Sequence, residues 1–164
     1  MLLWCTVESR LGSFTPTMEA QRTTFAFQRP QSTISTRTAF RGLVYGTEYE
    51  LSFNPFHKNL QDHNAPCAVC YVDSRGSMLM MPTRNDFPSG CTEEYHGYLM
   101  TSHYTDKNQK EFICVDRDPE FIPGTQANTN GALMMYFVEC TCGRNLPCDP
   151  YVSGRELTCA VCTN

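Results

Sequence analysis

Ten cysteines in 164 residues hold most of the chemistry open to this chain. They stand at positions 5, 67, 70, 91, 114, 140, 142, 148, 159 and 162. Thiolates bind zinc, or, oxidised in pairs, cross-link strands. Cys67 and Cys70, Cys159 and Cys162 have the CxxC spacing of zinc ligands, and Cys140 and Cys142 form a CxC pair. The residues around them argue otherwise. Ala-Val fills both CxxC pairs, and Tyr71-Val72 follows the first, where a zinc knuckle needs Gly, Pro or a basic residue. That reads as a strand. In a strand, Cys67 and Cys70 face opposite sides, since their offset is three, so each needs its own partner. Cys140 and Cys142 face one side, but a bond between next-nearest neighbours is strained. Distributed disulfides are therefore the favoured reading. The candidates are Cys67, Cys70, Cys114, Cys140, Cys142, Cys148, Cys159 and Cys162. A zinc-stabilised Cys-rich domain and reduced structural thiols are the alternatives. Nine of the ten cysteines lie between residues 67 and 164, so Cys5 joins the pairing or one thiol stays free.

The other reactive side chains are more scattered. His57, His63, His96 and His103 have neither HxH nor HxxxH spacing and read as loop or strand-face residues. Cys91 and His96 suggest a thiol nucleophile with its base, but no nucleophile motif surrounds them. No catalytic residue, metal ligand or cofactor site is assigned, and the chain reads as a non-enzyme. Asp116, Asp118 and Glu120 alternate like calcium ligands. Pro119 and the lack of a Gly-centred loop favour a solvated turn. Asn128-Thr129-Asn130-Gly131 is either a loop or a hydrogen-bonding platform for sugar.

These residues must be positioned by short strands. Leu43, Tyr45, Thr47, Tyr49, Leu51 and Phe53 alternate with mostly polar neighbours, a period of two. Further strands are expected at Cys67–Val72, Ser77–Met81, Gly97–Tyr104, Glu111–Asp116, Ala132–Cys142 and Leu157–Cys162. Asp73-Ser74-Arg75-Gly76 and Asp106-Lys107-Asn108 read as turns, the second closing a hairpin between Tyr104 and Phe112. Pro119, Pro123, Pro147 and Pro150 exclude long helices from the C-terminal half. The expected fold is all-β, built of disulfide-bonded antiparallel sheets and incomplete on its N-terminal side.

Charge divides the chain. Residues 1–41 carry about +3 and residues 42–164 about −7. The first segment is rich in Thr, Ser and Gln and lacks an apolar period, so it reads as a basic, poorly ordered arm. Glu8 and Arg10 interrupt its apolar start, so it is not a convincing signal peptide. A fragment or a misassigned start is the simplest expectation. The overall charge of −4 argues against nucleic acid as the main partner. No apolar run approaches the roughly 20 residues that span a bilayer.

A longer pattern runs through the acidic part. Val44-Tyr45-Gly46-Thr47-Glu48-Tyr49-Glu50 is followed by Asp62-His63-Asn64-Ala65-Pro66-Cys67-Ala68-Val69-Cys70-Tyr71-Val72. Then come Glu94-Tyr95-His96-Gly97-Tyr98-Leu99-Met100, Cys114-Val115-Asp116, Ile122-Pro123-Gly124 and Asn128-Thr129-Asn130-Gly131-Ala132-Leu133. The series closes with Tyr136-Phe137-Val138-Glu139 and Arg155-Glu156-Leu157-Thr158-Cys159-Ala160-Val161-Cys162-Thr163. In this order, over residues 42–164, the motifs resemble the C-terminal non-collagenous domain of spongin-like short-chain collagens of marine invertebrates. The C-terminal domain of type IV collagen is more faintly similar.

The resemblance implies a secreted, disulfide-bonded β-domain of the extracellular matrix. Its partners would be other matrix chains or itself, with trimers among the expected assemblies. The chain departs from that pattern at Phe87-Pro88-Ser89-Gly90-Cys91, where the family has Cys at the first position and Trp at the last. Cys91 is therefore the candidate free thiol. No Gly-X-Y repeat is present, so the likeness concerns the globular domain alone. A lectin-like module is the alternative function. Tyr95, Tyr98, Tyr104 and Asn128 would then stack on and hydrogen-bond to a glycan. Met78, Met80, Met81, Met134 and Met135 read mainly as core, with adaptable interfaces as the second use.

Overall fold

The computed structural model describes residues 47–66, 75–107, 111–126 and 133–164. Within them the chain is all-β: β1 (Thr47–Tyr49), β2 (Met78–Pro82), β3 (Thr92–Thr101), β4 (Ile113–Asp116), β5 (Leu133–Phe137) and β6 (Thr158–Thr163). They form one open sheet in the order β1-β5-β3-β6-β2, with β4 pairing to β3 off this path. The expected arm at residues 1–41 and the expected strand at Cys67–Val72 lie outside the described residues. Among the described residues no helix is long and apolar enough to cross a membrane.

β3 organises the sheet. At ten residues it is twice the length of β2 or β5. Its Thr92–Tyr98 portion pairs antiparallel with β6, and Gly97–Met100 pairs with β4 across the hairpin. Its last two residues, Met100 and Thr101, pair with Phe137 and Tyr136 of β5. The strand starts five residues before the expected Gly97. Thr92-Glu93-Glu94 has no apolar alternation, so only its pairing with buried β6 reveals it. A bulge between Glu93 and Tyr95 absorbs the register shift.

Two expectations are corrected. The sheet is mixed rather than antiparallel, because β1 runs parallel to β5, Thr47 beside Leu133 and Tyr49 beside Met135. Alternation specifies which face is buried and says nothing of strand direction. The strand expected to reach Phe53 ends at Tyr49, and Phe53 is exposed. Asn54 is the reason. Its side chain accepts from the Phe56 amide at 3.0 Å and donates to the Lys58 carbonyl at 2.9 Å, curling the backbone into a turn. The chain then returns along β1, with Tyr49 N–H bonded to the His63 carbonyl and Ala65 N–H to that of Thr47.

The sheet buries both faces. Tyr49, Phe56, Leu60, Met100, Val115 and Met135 form one cluster, completed by Tyr98 and Phe137. Leu99, Cys114, Cys159 and Val161 form the other, with Met78, Met80 and Tyr95 packed against it. Successive residues of β3 and β4 (Leu99 then Met100, Cys114 then Val115) feed opposite clusters, as a period of two requires. Gly97 lies where β4 crosses β3 most closely. A Cβ there would sit 1.8 Å from the Val115 carbonyl oxygen. Only glycine fits.

Candidate functional site: disulfide staples and an exposed aromatic row

The cysteines sort themselves by strand register. β3 pairs with both β4 and β6. The Cys114–Cys159 disulfide joins β4 to β6 across a Cα–Cα distance of 5.7 Å, inside the second core cluster. Cys91–Cys162 ties the residue preceding β3 to β6, with Cα atoms 5.8 Å apart. Cys142–Cys148 closes a local loop near the surface. Cys67, Cys70 and Cys5 lie outside the described residues.

Two cysteine assignments differ from expectation. Cys91, expected as the free thiol, is bonded. The Pro88-Ser89-Gly90 turn, closed by the Cys91 amide on the Pro88 carbonyl at 3.2 Å, delivers it to β6. There the pairing of Glu93 with Cys162 places the two sulfurs together. Cys140, expected in a disulfide, is a buried free thiol. Its amide donates to the Arg155 carbonyl and its carbonyl accepts from Gly154, so its backbone is held while its side chain points into packed surroundings. Cys142 turns away from it to Cys148 through a tight loop in which Gly143 has φ of 87°. Around Cys91–Cys162 lies a shallow open depression of about 200 Å³, lined by Leu79, Pro88 and Ser89 among others.

The histidines and acids serve separate local roles. His63 is buried, hydrogen-bonded through Nδ1 to the Gln61 carbonyl at 3.0 Å and packed on Phe121. His96 bonds to Glu93 at 3.1 Å and receives Arg117 at 3.3 Å. His57 is exposed. Asp116 accepts from the Asp118 amide at 2.8 Å, and Lys58 pairs with Asp118 at 2.9 Å. Burial, followed by the neighbouring Asp118 charge, raises the Asp116 carboxyl above its ordinary range against that hydrogen bond. The Tyr49 hydroxyl donates to the Glu120 carbonyl at 3.0 Å, and burial pushes its phenol far above the usual tyrosine range. Among the described residues no three His, Cys, Asp or Glu side chains are grouped to hold a metal.

The tyrosines expected to share a glycan surface are dispersed. Tyr98 meets Phe56 edge-on and packs against Phe137 inside the first cluster. Tyr95 packs on the opposite cluster and donates its hydroxyl to the Cys114 carbonyl. Asn128 lies outside the described residues. Of the methionines, Met135 is buried, while Met78, Met80, Met81 and Met134 are half-buried.

Tyr104 is different: it is 84% exposed. Its ring lies 4.4 Å from that of His103, which in turn lies 4.8 Å from Tyr136. The cause is register. Thr101 pairs with Tyr136, and two residues further along the same face comes His103. The Asp106 amide donates to the His103 carbonyl, and His103 Nδ1 bonds Thr105 Oγ1 at 2.8 Å, which fix the turn beneath the row. Burial first, then the carboxylates of Glu50 and Asp106, raise the Tyr136 phenol. Sequence reasoning missed this row because Tyr136 lies over thirty residues from its ring partners and reads as core. No family model, curated protein or solved structure matches this chain.

Proposed function

We propose that the chain is an extracellular, disulfide-stapled β-module that makes non-enzymatic structural contacts in a matrix, with itself or with other matrix chains. The observation that carries this reading is the pair of long-range staples, Cys114–Cys159 and Cys91–Cys162, at the centre of the sheet. Disulfides that join distant strands are a feature of proteins working in oxidising compartments. The ordered likeness of residues 42–164 to the C-terminal domain of spongin-like short-chain collagens supports the same reading. The dispersal of Tyr95, Tyr98 and Tyr104 weighs against a glycan site built from those three residues.

The test is sedimentation velocity over a wide range of protein concentration, together with retention on reconstituted collagen fibrils. The expected outcome is self-association, fibril retention, or both, abolished when the disulfides are reduced. A monomer at every concentration with no retention would sink the proposal. Retention released by free monosaccharide would replace it with the lectin-like function.

A further inference from the structure

We propose that the row Tyr104–His103–Tyr136, with Glu50 and Asp106 beside it, is a docking site for arginine side chains of a partner polypeptide. This deepens the matrix-contact reading by naming the chemistry of the contact.

Three observations carry it. The first is shape. Rings tilted against one another, with centroids 4.4 and 4.8 Å apart, make a stepped aromatic surface, and its outermost ring is 84% exposed. A planar guanidinium stacks on such ring faces, with the positive charge over the negative quadrupole.

The second is charge. Glu50 lies beside Tyr136, since its amide donates to the Met135 carbonyl as β1 pairs with β5. Gln61 Nε2 holds the Glu50 carboxylate at 2.9 Å, orienting it without neutralising it. Asp106 lies in the turn that begins at His103, near enough for its charge to act on Tyr136. Among the described residues, Lys107 follows Asp106 directly and offsets part of this charge, so a single arginine binds weakly and several in one peptide bind better.

The third is the field of the acidic part of the chain. Residues 42–164 carry about −7, which draws a basic partner and gives a neutral sugar no advantage. Rings flanked by carboxylates therefore favour a cation over a glycan.

The experiment uses the full chain with its disulfides intact and its aromatic rings carbon-13 labelled. It is titrated at low salt with a tetra-arginine peptide and, separately, with maltotetraose. The expected result is that the peptide, and not the sugar, shifts the ring signals of His103, Tyr104 and Tyr136, and that added salt weakens the effect. Tyr104→Ala and Asp106→Asn should each weaken apparent affinity roughly two- to fivefold, while Tyr104→Phe, which keeps the ring, should retain it. Both positions are exposed, so the variants leave the core intact. Ring shifts with maltotetraose alone would overturn the proposal in favour of a glycan platform. Unchanged affinity in Tyr104→Ala would overturn it as well. The titration reads the site alone: a chain that neither self-associates nor is retained on fibrils, with peptide binding intact, would refute the matrix reading and leave the arginine site standing.

Discussion

At the scale of single residues, Gly97 has the narrowest tolerance. Its missing side chain lets the β4 backbone cross β3, and any Cβ would overlap the Val115 carbonyl oxygen and press on the Arg117 amide nitrogen. Backbone atoms cannot rotate aside as a flexible side chain can. Gly97→Ala should therefore cost about 3 kcal/mol or more, at or beyond the upper end of ordinary overpacking. Chemical denaturation read by near-ultraviolet circular dichroism measures it. A loss under about 1 kcal/mol would show that β4 shifts freely, contrary to the tight β3–β4 crossing. Phe56 illustrates the same scale in a different way. The Asn54 side chain redirects five residues of backbone, and the redirected ring becomes core.

At the scale of elements, β6 is the keystone. It lies between β3 and β2, and Cys159, Ala160, Val161 and Cys162 are all fully buried. Both long-range disulfides among the described residues end on it. Their spans, 45 and 71 residues, close large loops, whereas Cys142–Cys148 spans only 6. Chain-entropy reasoning assigns about 4 kcal/mol to a loop of the first size and about 2 kcal/mol to the smallest. The Cys114→Ala/Cys159→Ala variant should lose about 2–5 kcal/mol. The Cys142→Ser/Cys148→Ser variant should lose distinctly less. Parallel urea titrations give the comparison. Equal losses would mean that the central staple does not constrain the unfolded chain, for instance because Cys91–Cys162 already does so.

At the scale of the whole molecule, stability responds to pH through groups that burial disturbs. Asp116 is the clearest. Its folded carboxyl has a raised proton affinity, so the native state binds more protons than the unfolded chain in the window just above the ordinary aspartate range. Stability from this group is present below that range and is lost as pH rises through the folded value. Asp116→Asn keeps an oxygen to accept the Asp118 amide and removes the charge. It should flatten this part of the pH–stability curve and stabilise the protein near neutrality. Thermal midpoints from pH 3 to 7 test the sign. A variant whose midpoint falls near neutrality would show that the charge stabilises the fold through Arg117 or His96, which also act on Asp116.

Much of this architecture was legible in the sequence, because it depends on neighbours along the chain. Alternation, proline placement and turn residues pointed to an all-β fold and to β2, β4 and β6 within two residues of their observed positions, whereas the strand expected over Ala132–Cys142 ends at Phe137. Cysteine frequency and the strand-like Cys-Ala-Val-Cys segments pointed to disulfides rather than zinc. What local pattern could not carry was decided by pairing between distant segments. The parallel run of β1 beside β5, the early start of β3, the bonding of Cys91 and the burial of Cys140 as a thiol each depend on register across the sheet. So does the row of Tyr104, His103 and Tyr136, whose members meet only because Thr101 pairs with Tyr136. The physical reason is common to all. A period of two tells which side chains share a face of one strand, but which strands lie side by side is set by burying two apolar faces at once.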